Sequence, residues 1–121
     1  MHNYTDSLSR ALMTFQCIEE ALKMYICYAD TNIQRKDVAN NSLVKLTKKY
    51  TLASNNISLA KKIQDLSKRR NEIAHEGFLF TFEEQKNEKL LKKLTAKIDK
   101  TYYDANEALK KLMQELSKVR V

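Results

Sequence analysis

Arg70, Asn71 and His75 have the residue types and the spacing needed for chemistry at a phosphodiester bond. A guanidinium stays charged at any physiological pH and pairs well with phosphate oxygens. An imidazole can accept or donate a proton near neutral pH, because its ordinary pKa is about 6.5. The three residues also lie beside the most basic part of the chain. Their types and position therefore indicate a site that acts on a phosphodiester.

Residues 45 to 70 carry the entire excess of positive charge. The chain has a formal net charge of +7, and the segments before and after this one are close to neutral. Within the segment, Asp65 is the only acid, and it is opposed by eight cations, which are Lys45, Lys48, Lys49, Lys61, Lys62, Lys68, Arg69 and Arg70. A polyanion such as RNA or DNA is the natural partner of such a segment. We predict nucleic-acid contacts from Lys61, Lys62, Lys68 and Arg69, and the alternative is that these cations only solvate a helix face.

The composition predicts a single all-α domain spanning residues 1–121. A chain of 121 residues can bury one modest core. It contains no proline and one glycine, and it is rich in residues that favour helices. Cys17 and Cys27 fall within one predicted helix about 15 Å apart, too far for a disulfide, so we expect free thiols in a cytoplasmic protein. No metal-ligand spacing, glycine-rich phosphate loop or membrane-length apolar run occurs, so we expect no metal, no cofactor and no membrane association.

Apolar periodicity predicts four helices, packed as an up-and-down bundle. The first helix covers residues 6 to 30, and the second begins after Ser42, which is a typical N-cap. The third runs from residue 57 to Gly77, which we expect to form a left-handed cap. The last helix covers Glu83 to Val119. The connector at residues 78–82 contains three alternating phenylalanines, and we expect it to be a buried or dimer-facing loop, because a lone strand would have no partner.

Helical geometry limits how the three candidate residues can act together. Asn71 and His75 lie about 40° apart around a helix, so the amide can orient the imidazole. Arg70 and His75 lie about 140° apart, so one subunit brings them to the same phosphate only if the helix end distorts or the side chains reach across. A two-fold dimer in which the third helices meet would place both residues of both subunits in one cleft.

An arginine followed by asparagine, three further residues and a histidine, at the end of the third helix of a small helical bundle, resembles the signature of the HEPN superfamily. Arg70, Asn71 and His75 carry this resemblance in sequence, and the whole chain carries it in expected architecture. Catalytic members are metal-independent endoribonucleases that act as dimers in toxin–antitoxin, phage-defence and RNA-targeting systems. Other members are non-catalytic binding or assembly modules.

The resemblance implies a role for each residue. His75 would transfer protons at the ribose 2′-hydroxyl, Arg70 would stabilise charge developing at phosphorus, and Asn71 would orient His75. The implied partners are RNA, a second copy of the chain and an antitoxin or nucleotidyltransferase. Some members carry a tyrosine two positions after the histidine for adenylylation, and Gly77 occupies that position here, which argues against this form of control.

Two functions from different classes follow from the sequence. One is a metal-independent endoribonuclease of toxin or defence type that uses Arg70, Asn71 and His75. The other is a non-catalytic dimeric module that binds nucleic acid or a partner protein through the basic segment. A third reading makes His75 a helix-end histidine favoured by the helix dipole and Arg70 the partner of an acid.

Overall fold

The structure is a computed structural model that describes the backbone of residues 4–83 and 88–119, and the side chains of residues 5–76 and 88–119. Every regular element in these ranges is a helix, which confirms the all-α prediction. In chain order, the helices are α1 (Tyr4–Ala29), α2 (Arg35–Val38), α3 (Leu43–Ser54), α4 (Ile57–Glu83) and α5 (Glu88–Val119).

The larger of two apolar clusters, which we call the main core, joins α1, α3, the first half of α4 and the second half of α5. Its members recur at three- and four-residue steps, so each helix buries one apolar face. The fully buried large side chains in this cluster include Phe15, Ile18, Leu22, Ile26, Leu46, Tyr50, Ile63, Leu112 and Leu116. The rings of Tyr25 and Tyr50 meet edge to face at 4.9 Å between centroids, which fixes α3 against α1.

The second cluster, which we call the small core, lies at the opposite end of the bundle. Its buried members are Ala11 of α1, Ile73 of α4, and Leu94 and Ile98 of α5. Arg10 adds a cation–π contact to this end, with its guanidinium carbon 4.9 Å from the centre of the Tyr102 ring. The small core lies beneath the part of α4 that carries Arg70 and His75.

The four predicted helices are present in the described part of the chain as α1, α3, α4 and α5, and three of them, α1, α4 and α5, are long. Contacts pair the start of α1 with the first half of α5, and the end of α1 with the second half of α5, so these two helices run in the same direction. Helix α4 runs antiparallel to α5, because residues that follow one another along α4 pair with residues in reverse order along α5. The predicted regular four-helix, up-and-down arrangement is therefore corrected to an up-down-up arrangement of α1, α4 and α5, with the short α2 and α3 packed at one end.

Local capping explains where the short helices begin and end. The Ser42 hydroxyl accepts a hydrogen bond from the Lys45 N–H at 3.3 Å, as its predicted N-cap role requires. Asn55 ends α3 in the left-handed region with φ 57°, a conformation that asparagine tolerates well. Helix α2 lies in the polar interval where no helix was predicted, and a capping box between Gln34 and Asp37 stabilises its first turn.

Gly77 does not end the third predicted helix, although the sequence predicted that it would. Helix α4 continues through it to Glu83, and no described glycine has a positive φ. A glycine inside a helix costs only about 1 kcal/mol relative to alanine, so helical turns on both sides outweigh it. Residues 78–82 are consequently helical and not the predicted loop, while their predicted burial or dimer contact lies outside the described side chains.

Candidate functional site

Arg70 and His75 lie on different sides of α4. Arg70 shares the inward side with the buried Leu66, Ser67 and Ile73, and it is itself half-buried. His75 is exposed on the outward side, as is Asn71. Five residues of helix separate Arg70 and His75 by about 7.5 Å along the axis and about 140° around it. One subunit therefore presents the two groups in different directions.

The Arg70 guanidinium combines a buried edge with a weak polar contact. Its Nε atom is buried without a hydrogen-bond partner, although a buried donor without an acceptor destabilises a fold by about 1–3 kcal/mol. One terminal nitrogen donates to Asn71 Oδ1 at 3.4 Å, which is long for a hydrogen bond. The described contact of the Asn71 side chain is thus with Arg70, whereas the sequence predicted that Asn71 would orient His75.

The acidic neighbours of His75 are engaged with helix α5. The Lys97 Nζ lies 2.9 Å from Glu76 Oε1 and 3.5 Å from Glu72 Oε2. The hydrogen bond that Lys97 donates to Glu76 and the nearby charges of Glu76 and Glu72 raise the pKa of Lys97 above its ordinary value. Both carboxylates are therefore turned towards Lys97. This arrangement leaves the outward side of α4 to His75 and its polar and basic neighbours.

His75 lies well inside α4 and not at its end. The helix continues to Glu83, eight residues beyond the histidine. Helix-dipole effects fall off within the last turn, so the reading of His75 as a dipole-favoured terminal histidine loses its basis. A distorted helix end cannot bring Arg70 and His75 together either, because α4 is continuous past both residues.

Two of the predicted nucleic-acid contacts are in line with His75. Lys61, Lys68 and His75 follow one another at seven-residue intervals on α4, and all three are exposed. We call this row the α4 outer face; it spans about 21 Å, and seven residues return to nearly the same side of a helix. The exposed Asp65 lies one helical turn from each of the two lysines, and Glu72, one turn beyond Lys68, lies 3.5 Å from Lys97. The row is therefore a line of two exposed lysines that ends at the imidazole, with one carboxylate between the lysines.

The other two predicted contacts, Lys62 and Arg69, face α5. Arg69 donates to Asp104 Oδ2 at 2.7 Å and to Thr101 Oγ1 at 3.1 Å, so its guanidinium connects α4 to α5. Lys62 lies beside Lys111, whose proximity lowers the pKa of Lys62 because two like charges oppose protonation. The structure thus divides the four predicted residues between two surfaces.

Sequence reasoning missed Lys111 and Lys118, which line the α4–α5 groove together with Lys62. They lie outside the basic segment, in a part of the chain that is nearly neutral overall. Their spacing of seven residues on a long amphipathic helix is a signal in the sequence. However, it becomes informative only when the antiparallel register of α4 and α5 is known.

Neither a protein-family model, nor a curated protein, nor a solved structure matches this chain. Within residues 5–76 and 88–119, no group of three or more His, Cys, Asp or Glu side chains is placed to hold a metal ion. No helix in the described part of the chain is long and apolar enough to cross a membrane. The geometry of α4 and α5 is therefore the basis on which a function can be inferred.

Proposed function

We propose that this chain is a metal-independent endoribonuclease of toxin or defence type, which binds RNA along the α4 outer face and cleaves it with His75 and Arg70. One observation supports this proposal above the others: the exposed His75 lies in line with the exposed Lys61 and Lys68 on the same side of one helix. Lysines on such a row attract successive phosphates, and the histidine is then positioned against the same backbone.

The cleavage step requires only the groups that an RNA strand and this site supply. His75, when neutral, takes the proton of a 2′-hydroxyl, and the 2′-oxygen forms a bond to the adjacent phosphorus. The bond from phosphorus to the 5′-oxygen of the next nucleotide breaks, and a protonated imidazole gives that oxygen its proton. The products are a 2′,3′-cyclic phosphate and a 5′-hydroxyl. Arg70 stabilises the additional charge on the phosphate oxygens during this step.

Arg70 and His75 meet only if a second subunit takes part. In a two-fold dimer, Arg70 of one subunit would face the phosphate held by His75 of the other. A neutral imidazole from one copy and a protonated imidazole from the other then supply the base and the acid. This arrangement is the reason why the proposal includes a homodimer.

The direct test is cleavage of end-labelled RNA by the purified chain in the presence of a metal chelator. We expect fragments with cyclic-phosphate ends from the wild type, and at least about 100-fold slower cleavage by His75→Ala and Arg70→Ala, as for loss of general acid–base catalysis or of charge stabilisation. Gln64→Ala, at an exposed position of the same helix, is the matched control and should cleave normally. An unchanged rate in His75→Ala, or no cleavage by the folded wild type, would overturn the proposal.

Mixing the wild type with the inactive His75→Ala variant tests the shared site. If one copy of His75 supplies the base and the other supplies the acid, a mixed dimer lacks one of them and should be inactive. Random exchange at equal concentrations leaves about half of the wild-type chains in wild-type dimers, so the cleavage rate should fall to about half of that of the same amount of wild type alone. If each subunit cleaved RNA by itself, adding His75→Ala would not lower the rate.

A second candidate function is a non-catalytic module that binds nucleic acid, and the opposite directions of Arg70 and His75 on one subunit favour it. In that case Lys61→Glu combined with Lys68→Glu abolishes RNA binding and its salt dependence, whereas His75→Ala changes neither. Induced expression in a bacterium distinguishes the two functions. Growth arrest with RNA fragmentation that depends on His75 supports the ribonuclease, and normal growth with intact RNA supports the module.

A further inference from the structure

Three pairs of charged residues cross the interface between α4 and α5 at regular intervals. The pairs are Glu76 with Lys97, Arg69 with Asp104, and Lys62 with Lys111, and successive pairs are seven residues apart on both helices. The first two pairs join opposite charges, at 2.9 Å and 2.7 Å. The third pair brings two ammonium groups together at a position where the repeating pattern would place an ion pair.

The like-charged pair lies in a groove large enough for a ligand. Two adjoining cavities of about 300 Å³ and 280 Å³ follow the α4–α5 interface, and both are lined by Lys62 and Lys111. Their volumes fall near the lower end of the range of small-molecule pockets, which begins at about 300 Å³. The second cavity is also lined by Asn56 and Ser58 at the start of α4 and by Lys118 on α5.

The charges around this second cavity are predominantly positive. Lys62, Lys111 and Lys118 line it, and Glu115 is its only acidic lining residue among those described. Glu115 Oε1 already accepts a hydrogen bond from Asn56 Nδ2 at 3.2 Å. In the neighbouring cavity, Asp104 is paired with Arg69, and Glu107 accepts a hydrogen bond from Lys110 at 3.4 Å. Asp65, one turn after Lys62, is the remaining carboxylate near the lysine pair.

We propose that the groove between Lys62 and Lys111, with Lys118 and Ser58 at its edge, is a binding site for a phosphate group. A phosphate between the two ammonium groups would accept a charge-assisted hydrogen bond from each and would remove their mutual repulsion. The first turn of α4 adds the favourable end of a helix dipole. This site is separate from the α4 outer face and does not depend on ribonuclease activity.

The test is a titration of the full chain with inorganic phosphate at constant ionic strength, followed by NMR. We expect saturable shifts of backbone amides around Ser58–Lys62 and Lys111–Lys118, described by one dissociation constant. Lys62→Gln and Lys111→Gln should each weaken binding by about fivefold, which corresponds to the upper range for one exposed charge pair. Lys100→Gln removes the same charge elsewhere on α5 and should titrate like the wild type.

The variants remain informative because the replaced lysines are exposed and a folded spectrum is checked first. Losing one lysine also relieves repulsion, so neither variant should melt earlier than the wild type. Shifts that do not saturate, or equal affinity in the wild type and both groove variants, would overturn the site.

A second titration identifies the source of the phosphate. A short 2′-O-methyl RNA without terminal phosphates offers phosphodiesters that cannot be cleaved through the 2′-position. If it binds with the same dependence on Lys62 and Lys111, the groove holds an RNA phosphodiester; if inorganic phosphate alone binds, it holds a free or terminal phosphate. Either result supports the phosphate site. If neither inorganic phosphate nor the RNA binds, the site is refuted. Failure of the ribonuclease proposal would appear separately, in the cleavage assay with His75→Ala.

Discussion

Among the described side chains, more are buried at one end of the bundle than at the other, and α4 passes through both ends. Among the described residues, the main core contains 18 buried side chains and the small core contains four. The α4–α5 groove, which contains Lys62 and Lys111, borders the main core, because Leu59 and Leu66 line its cavities. Arg70 and His75 flank Ile73 in the small core. The proposed phosphate groove therefore has firm support, whereas the proposed catalytic residues lie over a small apolar cluster.

This difference indicates how stability and chemistry are divided along one helix. Local opening requires less free energy where fewer apolar contacts must be broken. A site that depends on a second subunit tolerates weak packing in the free monomer, because dimer formation contributes further stability. We therefore expect the Arg70–His75 end to open more readily than the Lys62–Lys111 end when the chain is monomeric.

The largest expected effect comes from a matched pair of core substitutions on α4. Ile63 belongs to the main core and Ile73 to the small core, and both have 0% relative exposure. We expect Ile63→Ala to lower the free energy of unfolding by about 4 kcal/mol and Ile73→Ala by about 2 kcal/mol, within the known range for such cavities. Urea denaturation of both variants at one protein concentration measures the difference.

Equal losses in the two variants, or a larger loss for Ile73→Ala, would contradict the comparison. Amide hydrogen exchange provides an independent check that needs no mutation. Amides at residues 72–75 and 94–98 should exchange faster than those at residues 60–66 and 108–116. Uniform protection along α4 would show that the two ends open together.

A smaller effect is expected at the ion pair between the two ends. Arg69 contacts Asp104 and the buried Thr101, and its side chain has 30% relative exposure. Arg69→Gln should lower the free energy of unfolding by about 1–2 kcal/mol, because a partly buried ion pair and a hydrogen bond to a buried hydroxyl are both lost. Lys68→Gln, next in sequence but on the α4 outer face, should change stability by less than about 0.5 kcal/mol. Thermal denaturation of the two variants measures the difference. Equal losses of stability would mean that the contact of Arg69 with α5 does not stabilise the fold.

The sequence predicted features that depend on local patterns. The apolar periodicity of α1, the Ser42 cap before α3 and the long α5 all follow from residues close in sequence. It failed where a local preference is overridden by the turns on each side, as at Gly77 inside α4. It also missed α2, because four residues are too short for a periodic pattern to appear.

The candidate site was only partly predictable for a related reason. The sequence located Arg70, Asn71 and His75, and their helical spacing correctly separated the arginine from the histidine. It could not separate Lys61 and Lys68 from Lys62 and Arg69, because that division depends on which side of α4 meets α5. Asp104 and Lys111 become partners of Arg69 and Lys62 only through the antiparallel register. This register is a property of the tertiary structure and cannot be read from local sequence patterns.

The smallest expected effect is a pH dependence at the small-core end. Glu76 and Glu72 raise the pKa of Lys97, so the folded state holds this proton more tightly than the unfolded state does. The contribution to stability is fully present below the unfolded pKa of about 10.4 and is lost as pH rises through the higher folded pKa. The side chain has 41% relative exposure, so solvent screening limits the contribution to about 0.5 kcal/mol or less.

Lys97→Gln should therefore be slightly less stable than the wild type at pH 7, and the two should converge at pH values above the folded pKa of Lys97. Urea denaturation across this range, with Lys100→Gln to correct for general effects of alkaline pH, measures the convergence. A difference that persists at the highest pH would mean that Lys97 acts through its aliphatic contacts. Lys97 would then stabilise the small-core end through apolar contact and not through its charge.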